Sequence, residues 1–379
     1  MLRRILPILI LFSFLSIPEC RSLATTIEKD PTKRKGAGPL FQIRRGKKWG
    51  YMERSGKVII EPRFDSEGDF FHGLARVRGD QKWGFVDEKG EVKIEYQFDD
   101  ALDFISELAP VRIGKKWGYI DLKGRRVVPP AYQAAGEYFD GLARVVSWTR
   151  TRCGRSEYID DNAPDHAYVF PTLEALSVGG CFPADQKYSF LDASGKAAFE
   201  LKFDTAGDFS DGLALVSKEG EYEFIDTKGR VAFAPKFDEA ESFSEGLAPA
   251  RLDEKWGYID RSGEWVIKPR FDFAGRFVDG LARVEPVNGK GWGYVDKTGR
   301  MVINPQYEGA GDFSEGVAPV SNDDGFFYID KAGLIVFETT EGSGWGFSDG
   351  LTIIGKYDDR FYVNKKGRKV ARYTEGSEF

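Results

Sequence analysis

A period of 34 residues runs through this chain, and it limits the fold more than any other property of the sequence. Two independent rulers mark it. The first is the acidic residue that ends a Trp-Gly-aromatic-hydrophobic-Asp motif: Asp87, Asp121, Asp192, Asp226, Asp260, Asp296 and Asp330, with Glu53 and Asn364 at the two ends. The second is the aromatic residue ahead of a Gly-Leu-Ala motif: Phe70, Phe104, Tyr138, Phe209, Phe243, Phe277, Phe313 and Phe347. Both advance by 34, with one step of 36 and one of 71 at the same places. The chain therefore holds nine units. A repeat array of this kind grows without separate cores, so the 379 residues need not divide into two or three domains.

Each unit carries three sub-motifs in fixed order. Gly73-Leu74-Ala75-Arg76-Val77 is one copy of the first. Lys255-Trp256-Gly257-Tyr258-Ile259-Asp260 is the fullest copy of the second. Gly56-Lys57-Val58-Ile59-Ile60-Glu61-Pro62-Arg63-Phe64-Asp65 represents the third. Alternation and β-branched or aromatic content make each a strand. Asp-x-x-Gly, as in Asp260-Arg261-Ser262-Gly263, is a turn: Asp accepts a local backbone hydrogen bond and Gly supplies positive φ. Pro62, Pro130, Pro235, Pro269 and Pro305 stop the third strand, because proline cannot donate to a ladder. Gly after Trp marks a bulge or a close backbone approach. The expected unit is a three-stranded antiparallel meander followed by a Phe-Asp-x-Ala-x-x-Phe loop. One unit cannot bury its aromatic face, but stacked units can.

The fold class is thus all-β: nine tandem three-stranded meanders of about 34 residues in an open, solenoid-like array, with a β-propeller as the alternative. The open form is favoured because three strands in 34 residues is short for a propeller blade. The chain also begins and ends in the same phase, Leu40-Phe41-Gln42-Ile43 filling the first slot and Lys369-Val370-Ala371 the last, so no strand is left over to lock a ring.

The Trp slot holds Trp49, Trp83, Trp117, Trp256 and Trp292, while Tyr188, Tyr222, Phe326 and Arg360 occupy it elsewhere. Replacement by Phe or Tyr suits a packing role, so these tryptophans are read as structural rungs rather than sugar-stacking platforms. Trp345 falls ahead of the Gly-Leu strand and is a decoy.

Ahead of the repeats, residues 1–24 read as a secretory signal peptide. Arg3 and Arg4 precede the apolar run Ile5–Ile17, and Ser22 and Ala24 give a cleavage site after Ala24. That run is short for a membrane span, so none is expected after cleavage. Lipid attachment at Cys20 is disfavoured by Glu19 before it. Residues 25–38 form a polar linker, and 39–379 the repeat domain. The expected destination is outside the cytoplasm: periplasmic, envelope-associated or secreted.

The 71-residue step is one period plus an insertion. Val77 precedes Trp83 by six positions, but Val145 precedes Tyr188 by 43. Residues 147–187 therefore grow from a single hairpin. Tyr158-Ile159-Asp160 inside it mimics the second motif without the turn glycine. The insertion holds Cys153 and Cys181, the only cysteines left after cleavage, and an even pair in an exported chain reads as a disulfide. Free thiols, or a zinc site with His166, remain alternatives, but the Cys-x-x-Cys spacing of a zinc site is missing. Asp160, Asp161, Asp165 and His166 make the loop a candidate partner-binding segment. The other histidine, His72, occupies a turn position.

A net charge of −6 argues against a nucleic-acid partner. No nucleophile elbow, phosphate loop or dinucleotide fingerprint is present, and the turn aspartates do not spell a calcium repeat. Lys-Trp-Gly-Tyr-Ile-Asp-x-x-Gly, followed by Val-Val-Ile-x-Pro and Phe-x-x-Gly-Leu-Ala, resembles the bacterial WG-repeat, or KWG-repeat, proteins over nearly all of 39–379. That resemblance implies a β-rich, non-catalytic repeat protein, often at or outside the cell envelope, with no cofactor and no catalytic residues to carry over. The expectation is an exported scaffold binding a protein or an envelope component. The alternatives are a wall-glycan binder using exposed aromatics and an enzyme with its site in the 147–187 loop.

Overall fold

The computed structural model describes residues 38–148, 151–153, 181–183, 185–234, 236–287, 291–339, 344–356 and 359–375. The signal segment 1–24 lies outside them, as does nearly all of the linker. Within them the regular structure is all strand, arranged as tandem antiparallel meanders in the phase the sequence sets. Unit 2 is typical: Leu74–Gly79, Lys82–Asp87 and Val92–Phe98 pair in sequence order.

The unit has one strand more than expected. In most units the segment read as a loop contains a two-residue strand that pairs antiparallel with the first strand of the unit that follows; ahead of Leu142–Ser147 it is the longer Ala134–Phe139. Ser66–Glu67 lies against Val77 and Arg78, and Asp100–Ala101 against Val111 and Arg112. Two residues are too few for a period-2 pattern to register, which is why alternation missed them.

The turns form as the sequence requires. Asp260 Oδ1 accepts from the N–H groups of Ser262 at 2.8 Å and Glu264 at 3.1 Å, and Gly263 has φ +81°. The Ser262 hydroxyl also donates to Asp260, and these donors hold its carboxyl below the usual range. At Gly257 a side chain would strike the Ile267 carbonyl and the Pro269 nitrogen, so the glycine after Trp serves a close approach. The ladder shifts register there as well, between Trp256 and Tyr258.

Stacking is carried by the residues that mark the period. The second-strand aromatic of each unit meets the aromatic before the Gly-Leu-Ala strand of the next. Tyr51 packs on Phe70 with ring centroids 4.8 Å apart, Phe85 on Phe104 at 4.8 Å, and Tyr294 on Phe313 at 4.8 Å. These off-parallel ring pairs are the favourable arrangement for aromatic quadrupoles. The tyrosine hydroxyls are buried and satisfied: Tyr51 donates to the Gly68 carbonyl at 2.8 Å and Tyr258 to that of Gly275 at 2.7 Å. Burial pushes both phenols far above their ordinary value. Because neighbours cover both faces of each sheet, Leu74, Ala75 and Val77 are all buried instead of alternating.

The tandem array of meanders stands as expected. Its two ends, however, are joined. Thr374–Glu375 is the strand thought to be missing, and it pairs with Arg44 and Arg45 of the first strand, in parallel. Arg44 N–H donates to the Tyr373 carbonyl at 2.8 Å. Phe41 packs on Tyr362 at 5.6 Å and Trp49 on Tyr373 at 5.6 Å. The turn glycines give a second measure of closure. A Cβ at Gly90 would come within 2.9 Å of Ile60 in the preceding unit. A Cβ at Gly56 of unit 1 would come within 3.0 Å of the Val370 carbonyl in unit 9. Unit 9 thus stands before unit 1 as each unit stands before the next, which is the ring arrangement of the propeller alternative.

Candidate functional site

The tryptophans are packed into the array. Trp83 and Trp256 are 9% and 6% exposed, while Trp49, Trp117 and Trp292 are half-buried. An arginine covers a ring face in each case: Arg44 over Trp49 at 5.5 Å, Arg76 over Trp83 at 5.1 Å and Arg251 over Trp256 at 6.0 Å, with Arg112 and Arg283 over Trp117 and Trp292. A cation on the ring face adds attraction and removes the surface a sugar would stack on. Trp345 precedes the Leu351–Lys356 strand, as its decoy reading requires, and is 41% exposed.

The insertion leaves and re-enters the scaffold through paired strands. Leu142–Ser147 pairs with Lys187–Asp192 up to Ser147 opposite Lys187. Beyond it Thr151–Cys153 pairs with Cys181–Pro183, placing Cys153 directly opposite Cys181 in the backbone register. The proposed binding residues Asp160, Asp161, Asp165 and His166 lie outside the described residues, as does the mimic motif at 158–160. His72 sits in a tight turn with φ 51°, followed by Gly73 at φ 76°.

Such turn tips form one row. The carboxylate of one tip accepts from the glycine N–H of the next. Asp140 takes Gly212 at 2.7 Å, Asp211 takes Gly246 at 2.6 Å, Asp279 takes Gly316 at 2.7 Å and Glu315 takes Gly350 at 2.9 Å. An open hollow of about 630 Å³ lies over part of this row, lined by Asp140, Asp211, Glu245 and Arg261 with the intervening glycines. Its acids are engaged by the stitching.

A second seam escaped the sequence reading. Arg76 forms a buried ion pair with Asp103 of the next unit at 2.8 Å and donates to the Ala101 carbonyl at 2.8 Å. Arg144 pairs with Asp208 at 3.0 Å, and Arg283 with Asp312 at 3.1 Å. Gln42 donates to Asp69 at 2.9 Å in the same slots. Where the first slot is Leu215 or Pro319, the second is Ser242 or Gly346. The two slots do not change together throughout, because Pro110 is matched with Glu137 and Pro249 with Arg276.

Glu67 departs from the pattern. Six other units place Ala101, Ala135, Ala206, Ala240, Ala274 or Ala310 at its slot, and Gly344 fills it ahead of Phe347. Half-buried, it is pushed up to about 7, first by burial; Arg76 opposes this and Asp69 adds to it. It can hold or release a proton near neutrality. The hollow lies among units 4 to 6, and Glu67 is not part of its lining. Among the described residues no group of three or more His, Cys, Asp or Glu side chains is placed to hold a metal ion. Among them, too, no helix is long and apolar enough to cross a membrane.

The fold and its seams define a tandem β-repeat protein whose recurrent residues are spent on holding units together. The chain belongs to the WG containing repeat family, whose model matches residues 49–83, 83–117, 117–146, 188–222, 224–256, 256–290 and 292–326. Among solved structures it is similar to a eukaryotic initiation factor, with TM-score 0.55 and 10% identity over 87% of this chain and 94% of that one. The dihydro-heme d1 dehydrogenase NirN also aligns, with TM-score 0.42 and 12% identity over 90% of this chain and 74% of that one. At these identities the first likeness speaks to the fold alone. A search of curated proteins finds no match.

Proposed function

We propose that this chain is a non-catalytic, exported scaffold that holds the 147–187 insertion out for recognition of a protein or an envelope component. The observation that carries this reading is the way the insertion is mounted. The hairpin of unit 4 continues beyond Ser147 and Lys187 into a second two-stranded ribbon, so a stacked array supports the one stretch that breaks the repeat. Loops on rigid β-scaffolds are where recognition concentrates. A glycan platform built on the repeat tryptophans is less well supported, because their faces lie against arginines and neighbouring rings.

The test compares the full chain with a variant in which a short Gly-Ser link replaces 148–186. Both are used as bait on envelope extracts, with quantitative mass spectrometry of what is retained. The variant is expected to keep the strand signature and melting cooperativity of the parent and to lose its specific partners. Partners retained equally by both would defeat the assignment. Export has its own test, since the mature chain recovered from outside the cytoplasm should begin at Thr25.

A further inference from the structure

We propose that the outer sheet edge of unit 8, residues 334–338, is a self-association site that pairs antiparallel with the same edge of a second copy of this chain. The strand Ile335–Thr339 ends the sheet of unit 8, and among the described residues no strand pairs on its far side. Every unit presents such an edge, so the case rests on how unit 8 differs from the others.

Two differences stand out. The first residue after the turn glycine is charged in each of the other eight units, from Lys57 and Glu91 to Arg300 and Arg368; in unit 8 it is Leu334. Leu334 is 66% exposed, Ile335 57% and Val336 39%, a contiguous apolar run on the surface. The second difference is in the ladder. In units 1, 2, 3, 6 and 7 the register slips where the Trp slot pairs, and Pro62, Pro130, Pro269 and Pro305 lie within four of those third strands, which run on through them. Unit 8 has no proline there, and Phe326, Phe327 and Tyr328 pair without a slip with Thr339, Glu338 and Phe337; unit 9 shares both features, so it is the missing charge that sets unit 8 apart from it. Charge, proline and bulges are the devices that keep sheet edges apart. From Ala332 to Phe337 unit 8 carries neither charge nor proline, and it keeps only the single bulge between Tyr328 and Ile329.

The occupant follows from charge. A two-fold axis through Ile335 would set Ile335 against Ile335 and Leu334 against Val336 of the second copy. The nearest charges, Lys331 and Glu338, would then face Thr339 and Ala332, so no like charges meet. The same operation on unit 9, centred on Lys369, would oppose two lysines. An edge with no charge from Ala332 to Phe337 offers nothing to a charged peptide but matches itself. Edge-to-edge pairing of this kind satisfies open backbone groups while burying the apolar side chains.

Sedimentation velocity on the intact chain, followed across a concentration series, tests the proposal. The parent should show the mass of two chains, falling to one on dilution in a single step. Leu334→Lys and Ile335→Lys should each sediment as one chain at concentrations where the parent is paired. Both should melt like the parent, because Leu334→Lys installs the residue type that other units use at this slot. Val231→Lys, at a 55% exposed apolar residue of unit 5, is the control and should leave pairing intact. A parent that stays single at all concentrations overturns the proposal. So does pairing that survives both lysine variants, or that is lost equally in Val231→Lys. Should a foreign peptide occupy this edge while the parent remains single, the choice of a second copy is overturned.

Discussion

At the scale of single residues, the chain separates positions that serve every unit from positions where one unit departs. The turn aspartates and the glycine after Trp were legible because a specific backbone geometry needs them, as Asp260 and Gly257 illustrate. Glu67 was not singled out, because an isolated carboxylate among 60 acidic residues carries no pattern until its slot is aligned with six alanines. Its protonation has a measurable consequence. The folded carboxyl sits at about 7 against an ordinary 4.5. The folded state is therefore favoured while Glu67 is neutral in both states, below about pH 4.5. That advantage is lost progressively as pH rises towards 7 and the unfolded carboxyl ionises first. Glu67→Ala should remove the penalty. Chemical denaturation should find the variant more stable than the parent by about 1 kcal/mol at pH 8, allowing for solvent screening, with the gap closing near pH 4.5. A gap independent of pH would assign the effect to packing.

At the scale of elements, the seam of ion pairs joins one unit to the next through arginine, aspartate and a strand carbonyl. Removing one member of the Arg76–Asp103 pair leaves the other's buried charge without its counter-ion, so Arg76→Leu or Asp103→Leu should each cost about 3 kcal/mol. The double variant should cost well under the sum, and equilibrium unfolding of all four chains in a double-mutant cycle measures the coupling. Additive losses would mean that the two residues act through separate neighbours. The insertion makes a second prediction. Residues directly opposite in antiparallel strands have Cα atoms about 4.5–5.5 Å apart, inside the window that a disulfide spans. Cys153 and Cys181 occupy one such register position. Thiol titration of the oxidised chain should therefore find both blocked, and reduction should lower stability by about 3 kcal/mol through the loop it reopens. Two titratable thiols in oxidised protein would contradict the pairing. The cysteine count suggested a disulfide, and the ribbon register adds that the two residues are direct backbone partners.

At the scale of the whole molecule, the joining of unit 9 to unit 1 decides how the array unfolds. An open stack frays from its ends, whereas a joined one has none until a seam breaks. Removing residues 373–379 takes away Tyr373 and the closing strand Thr374–Glu375. Hydrogen exchange should then accelerate in units 1 and 9 while units 5 to 7 keep their protection, and the melting transition should broaden. Uniform loss of protection would mean that the closing strand holds no more than its neighbours do. The sequence alone determined the period, the number of units, the strand order within each and the site of the insertion. These are local matters of alternation, turn chemistry and spacing, repeated often enough to be read nine times. Tertiary structure alone decided the two-residue fourth strand, the choice of partners along the ion-pair seam and the meeting of the two ends. Each depends on contacts between residues one unit or a whole array apart. No pairing between Arg44 and Thr374 can be read from a period of 34, because a repeat repeats identically whether its ends meet or not. The total rotation accumulated over nine units settles the matter, and rotation belongs to packing.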